Sequence, residues 1–375
     1  MTLETTEAIA SGSQVYTWEP PDRVIAARYG VDVADILRFD LNTSPTAPDF
    51  FEAELRERFD PPINEYPDST YAGLTEAAAA YVGVRFDEIL VGCGADEVLD
   101  LIAKAFLPPG GTAIVPIPTY SMYGVLTGQR GAKLQAVPRL GADGRFALDL
   151  EAMLAAAPAA DVVWLCAPNN PTGASESRDA MVAVLEACAV APGGGPAVVV
   201  DEAYIEFDPG SMVELREEFE RLIVIRTVSK AFALPGLRVG YAVSARPTIE
   251  RLERFRPPGS ISTVSASVAE AALRSPQYAI DNARRISEER GRFVERLGAL
   301  GIEAHPSVTN FVLCRFGDQA TSEDATEHVL RAGIVPRTFG PANPLRGHLR
   351  FTVRTPAQND RLLGVLADWL DGRIA

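Results

Sequence analysis

From about residue 50 to residue 250, short apolar runs alternate with stretches of helical periodicity. Ile89–Gly92 predicts a strand, and Ala95–Leu107 predicts a helix with Val98, Leu101, Ile102 and Ala105 on one face. Further strand-like runs are Ala113–Val115, Asp161–Cys166, Ala197–Val200, Leu222–Ile225 and Val239–Val243. They are continuous rather than alternating, as in strands covered on both faces. Strand and helix in turn predict an α/β fold with a mostly parallel sheet and helices on both faces. Residues 1–46 read as irregular, with Pro20, Pro21, Pro45 and an Asn42-Thr43-Ser44-Pro45 turn, and Pro192-Gly193-Gly194-Gly195-Pro196 reads as a loop.

Beyond residue 250 the pattern changes. Residues 263–300 read as helix, broken near Ser275-Pro276. Asn310–Phe316 and His348–Val353 look like strands, and Glu323–Arg331 and Ala357–Leu370 like helices, which predicts a smaller α+β domain. With 375 residues the chain is long enough for two domains.

Charge narrows the function classes. The net charge is −15, which excludes a cationic surface for a nucleic acid or an anionic membrane. No apolar run reaches the ~20 residues of a membrane helix, and Met1–Ala10, with Glu4 and Glu7, does not read as a signal peptide. Cys93, Cys166, Cys188 and Cys314 form no Cys-x-x-Cys pair, and His305, His328 and His348 are dispersed, so no metal cluster is expected. A cytoplasmic enzyme fits these features.

Of 35 basic residues only three are lysines: Lys104, Lys133 and Lys230. Lys230, in Thr227-Val228-Ser229-Lys230-Ala231-Phe232, follows a strand-like run. Ligands of α/β sheets bind at the carboxyl ends of strands, where a desolvated lysine amine can form a Schiff base. Alone, Lys230 reads equally well as a solvated surface lysine. However, Gly94-Ala95-Asp96-Glu97, Asn169-Asn170-Pro171-Thr172-Gly173 and Asp201-Glu202-Ala203-Tyr204 also follow strand-like runs. Four polar motifs should therefore share one sheet edge.

Each motif has a use beside a pyridoxal phosphate ring. Asp201 offers a carboxylate for the ring nitrogen. Asn170 and Tyr204 can donate to the ring oxygen. The backbone N–H groups of Ala95 and Asp96 at a helix start, with Ser229 and Arg238, suit the phosphate. Tyr120 suits stacking on the ring. The plainer readings stay open: Asp201 as a turn cap, Tyr204 as core, Arg350 as an exposed strand residue, and Met122 and Tyr123 as packing.

The ordered set Asn-Asn-Pro-Thr-Gly, Asp-Glu-Ala-Tyr, Ser-Lys-Ala-Phe and Gly-Leu-Arg-Val-Gly-Tyr resembles fold-type-I pyridoxal-phosphate aminotransferases, over residues 40 to 370. Pro118-Thr119-Tyr120-Ser121-Met122-Tyr123, Gly347-His348-Leu349-Arg350-Phe351-Thr352-Val353 and Asn359-Asp360-Arg361-Leu362 resemble the histidinol-phosphate aminotransferase branch. The resemblance implies pyridoxal 5′-phosphate as cofactor, held by Lys230. Asp201 would keep the ring nitrogen protonated, and Lys230 would carry the substrate proton. Arg350 would bind the donor's α-carboxylate, and Arg337, 13 residues earlier, a substrate phosphate. Tyr66, in Asn64-Glu65-Tyr66-Pro67, would reach a neighbouring subunit's cofactor in a homodimer.

The implied reaction moves an amino group between a phosphorylated amine, histidinol phosphate first, and 2-oxoglutarate or glutamate. Aromatic amino-acid transamination and threonine-phosphate decarboxylation are the alternatives. The implied division is an N-terminal arm and substrate lid (1–46), a large cofactor domain (47–270) and a small domain (271–375). Asn42–Pro48 departs from the branch's Asn-Glu-Asn-Pro-x-Gly-Pro, Arg354 stands where glycine is common, and Pro235 where alanine is common. Tyr16, Trp18 and Tyr29 are candidates for the aromatic lid.

Overall fold

A computed structural model describes residues 19–48, 64–141 and 146–374. Its centre is a seven-stranded sheet of β2 (Ile89–Gly92), β3 (Thr112–Ile117), β4 (Lys133–Pro138), β5 (Val162–Cys166), β6 (Ala197–Asp201), β7 (Leu222–Thr227) and β8 (Gly240–Ser244), in the order β2-β8-β7-β6-β5-β3-β4. Only β8 runs against the rest. The amino end of β8 therefore meets the carboxyl ends of its neighbours. The fold is α/β with a mostly parallel central sheet.

Successive residues of one strand feed opposite cores. Val163 and Leu165 pack on one face with Val198, Val200 and Val224. Val162, Trp164 and Cys166 pack on the other with Val199, Ile223 and Ile225. Burial on both faces is what the unbroken apolar runs require. Helix Gly94–Phe106 turns Val98, Leu101 and Ile102, all fully buried, onto the second face. Each such side chain contributes about 1.5–3 kcal/mol.

A second core lies beneath a three-stranded antiparallel sheet of β9 (Glu303–Ala304), β10 (Phe311–Arg315) and β12 (His348–Thr352). The helices Gln277–Ala299, Gln319–Arg331 and Pro356–Ile374 supply Phe293, Val329 and Leu362 to it. Phe39, from the other end of the chain, is fully buried there and meets Phe351 edge-on at 6.3 Å. Next to it, β1 (Leu37–Arg38) pairs in parallel with β11 (Ile334–Val335).

Two regions differ from the pattern reading. Asp22–Tyr29 is a helix, not irregular chain. Asp22 in its first turn and the left-handed Gly30 after it are proper terminal signals. Only Ile25 and Ala26 are buried, so no apolar stripe announced it. The other is β4, an edge strand whose burial alternates, so that its short apolar run Leu134–Val137 does not stand out as a strand buried on both faces. Among the described residues no helix is long and apolar enough to cross a membrane.

Candidate active site

The carboxyl edge of the large sheet opens into a cavity of about 900 Å³. Ala95, Asp96, Tyr120, Asn170, Asp201, Tyr204, Ser229, Lys230, Arg238, Arg337 and Arg350 all line it. Eleven of the twelve residues singled out from the sequence thus converge. The exception is Tyr66, which is 97% exposed and lies outside this chain's own cavity.

Lys230 follows β7 by three residues and is half-buried. The buried Asn282 holds its loop by donating to the Ala231 carbonyl at 2.8 Å. The Lys230 Nζ lies 5.6 Å from the Tyr204 ring centre. Burial, reinforced by the nearby Arg350 cation, lowers its pKa to about 8. A substantial fraction of the amine is then neutral near physiological pH, as a nucleophile or proton carrier requires.

Asp201 ends β6 and is 4% exposed. Burial raises its pKa to about 6, against the stabilising effect of two hydrogen bonds. Tyr123 donates its hydroxyl to one Asp201 oxygen at 2.8 Å, and the Ala203 N–H donates to the other at 3.1 Å. Tyr123 is itself fully buried and stacks on Trp164 at 5.5 Å. The packing reading of Tyr123 is thus incomplete: its ring packs and its hydroxyl reaches the site carboxylate.

At the other end of this row, helix Gly94–Phe106 points its amino terminus at the cavity. Arg238 contacts Asp96 at 3.2 Å, and Tyr120 donates to Asp96 at 3.0 Å. Ser229 and Thr227 bond through their hydroxyls at 2.8 Å. The start of β8 comes so close that a Cβ on Gly240 would lie 2.5 Å from the Ala95 nitrogen. Only glycine allows the helix start and the arginine loop to meet.

The two asparagines of Asn169-Asn170 divide their work. Asn169 is fully buried and braces the loops, donating to the Pro118 carbonyl and Thr172 and accepting from Thr119. Asn170 faces the cavity and accepts from Arg350 at 2.5 Å. Arg350 is 6% exposed, which rules out the reading of it as a solvated strand residue. It also donates to the Asp40 carbonyl at 2.5 Å and lies 5.0 Å over the Phe311 ring. Arg337 and Arg350 exchange both backbone hydrogen bonds at 3.0 Å, which fixes their side by side placement.

Sequence reasoning missed Asn42, whose amide donates to the Tyr204 hydroxyl at 3.0 Å. Its positive φ of 52° is a conformation asparagine tolerates, so the turn motif held a usable signal. Glu19 was missed as well and lies beside Arg337. Of the lid candidates, Tyr29 is turned away onto Glu327 at 2.7 Å, while Tyr16 and Trp18 lie outside the described residues.

Residues 35–366 match the family model for aminotransferase class I and II. The chain belongs to that family. Histidinol-phosphate aminotransferase of Thermoanaerobacter sp. (strain X514) is 37% identical over 82% of this chain and 85% of its own. Histidinol-phosphate aminotransferase 2 of Archaeoglobus fulgidus is 33% identical over 89% and 93%. A crystal structure of histidinol-phosphate aminotransferase from Sinorhizobium meliloti, in complex with pyridoxal-5′-phosphate, superposes with a TM-score of 0.85 at 26% identity, covering 96% of this chain and 97% of that one.

For this aminotransferase the donor set has the chemistry of a pyridoxal phosphate site. Asp201 is a buried carboxylate whose hydrogen-bond donors among the described residues are a phenol and an amide, neither of them cationic. Such a carboxylate is costly without a cation, and a ring N–H⁺ provides one. The helix start, Ser229 and Arg238 line the same cavity as Lys230 and offer donors of the kind a phosphate needs.

Proposed function

We propose that this aminotransferase uses pyridoxal 5′-phosphate to move an amino group between histidinol phosphate and 2-oxoglutarate. The observation that carries the reading is one cavity containing a desolvated Lys230, a buried Asp201 and the paired Arg337 and Arg350. When bound, the cofactor supplies an electron-withdrawing ring that stabilises negative charge at the substrate's Cα. Asp201 holds the proton on the ring nitrogen, and Tyr123 holds Asp201. Lys230 would hold the cofactor, and its amine would move the proton at the substrate's Cα. Asn170 and Tyr204 bond the ring oxygen, and Tyr120 covers the ring. Ser229, Arg238 and the N–H groups of Ala95 and Asp96 hold the cofactor phosphate.

Arg350 binds the α-carboxylate of glutamate, and Arg337 binds the substrate phosphate. Full exposure of Tyr66 supports its reaching a second copy's cofactor, hence a homodimer with shared sites. The pairing of β1 with β11 and the burial of Phe39 support counting residues 1–46 with the small domain (271–375), beside a large domain of 47–270. The acidic chain, with its four free cysteines, supports a cytoplasmic location.

Arg337→Ala tests the substrate assignment. It should lower kcat/KM for histidinol phosphate by about 100-fold while changing that for unphosphorylated histidinol by less than about threefold. Equal losses for the two amines would remove the phosphate role from Arg337.

A further inference from the structure

Two carboxylates, Asp40 and Glu19, line the tail end of the cavity beside Arg337 and Arg350. They are held differently. Asp40 is locked by Arg38, which donates to both its oxygens at 2.8 and 2.6 Å. Glu19 sits 3.9 Å from the Arg337 guanidinium, an ion pair without a hydrogen bond. Its anchor is Thr338, whose N–H and hydroxyl both donate to the same Glu19 oxygen at 3.1 and 2.8 Å. Both members of the pair keep some solvent access, with side chains 17% and 23% exposed. Glu19 can therefore leave Arg337 without breaking a hydrogen bond to it, whereas Asp40 cannot leave Arg38.

We propose that Glu19 sets the charge preference at the tail end of the cavity, as a resident counter-ion of Arg337 that a neutral tail keeps in place and an anionic tail displaces. This rests on the reading of Arg337 as the tail-binding cation. An incoming phosphate brings up to two charges and three acceptor oxygens, enough to replace at Arg337 a carboxylate that is hydrogen-bonded to Thr338 and not to the guanidinium. A neutral tail cannot replace it, and binds best while Glu19 still balances the arginine. Removing the charge of Glu19 then has effects of opposite sign on the two substrate classes. A purely structural role would weaken both.

The experiment measures KM for histidinol phosphate and for histidinol, and the inhibition constant of inorganic phosphate in the glutamate half-reaction. The proteins are wild type, Glu19→Gln, Glu19→Asp and Arg337→Ala/Glu19→Gln. In Glu19→Gln the KM for histidinol phosphate and the phosphate inhibition constant should fall roughly 2- to 5-fold, while the KM for histidinol rises. Glu19→Asp should stay near wild type, and the effect on phosphate should vanish when Arg337 is also removed. Movement of both KM values in one direction, or an unchanged phosphate inhibition constant, overturns the proposal. If histidinol phosphate is not turned over, the substrate reading fails, and the phosphate constant alone still decides the role of Glu19.

Discussion

The two ends of the cavity are built on different principles. The cofactor end is a row of strand ends from one sheet: β2, β3, β5, β6 and β7, with the start of β8. Its side chains inherit their positions from a core filled on both faces. The tail end joins chain segments some 300 residues apart. Glu19, Asp40 and Asn42 meet Arg337, Thr338 and Arg350 through a few pairings. The first end is rigid by construction. The second depends on whether the second core holds the amino-terminal segment.

Lys230→Ala strikes only the cofactor end and should have the largest effect. Turnover should fall by about 10⁴-fold or more, and the absorbance of lysine-linked cofactor should be lost. Retained activity would remove Lys230 from its role. Phe39→Ala strikes only the other end. Loss of a fully buried aromatic ring should cost about 3–5 kcal/mol of stability in chemical denaturation. KM for both substrates should rise while cofactor affinity is kept. A parallel loss of cofactor affinity would show that the two ends are not separable.

Tyr123→Phe should have a smaller effect, about tenfold on kcat, because it removes one hydrogen bond to a charged group. Its pH signature is more specific. That bond lowers the pKa of Asp201, so without it the value rises above about 6. Asp201 binds the protonated ring only when ionised. Cofactor affinity should therefore fall with decreasing pH in both proteins, and the fall should begin at higher pH in the variant. Coincident affinity–pH curves would reduce Tyr123 to packing.

The same contrast explains what could be read from the sequence. Strands buried on both faces need unbroken β-branched runs, and the polar motifs following them were visible as departures from those runs. Lys230, Asp201, Asn170 and the start of the Gly94 helix were found that way. Tyr123 was read only in part, because apolar burial of its ring is visible in the pattern, whereas a bond to a residue 78 positions away is not. Glu19 and Asn42 carry no periodicity, and the helix beside Glu19 buries two residues only. Arg337 and Arg350 came from family resemblance, and their backbone pairing became apparent only in the fold.

The reaction proposed for this cavity is transfer of an amino group to or from a phosphorylated amine. The most direct test supplies the cofactor-loaded protein with histidinol phosphate or with threonine phosphate, each with and without 2-oxoglutarate, and follows glutamate and carbon dioxide together. Glutamate should form in step with consumption of histidinol phosphate and only when the oxo acid is present, and threonine phosphate should release no carbon dioxide. Carbon dioxide from a phosphorylated amino acid such as threonine phosphate, without any oxo acid and with no glutamate formed from histidinol phosphate, would contradict it.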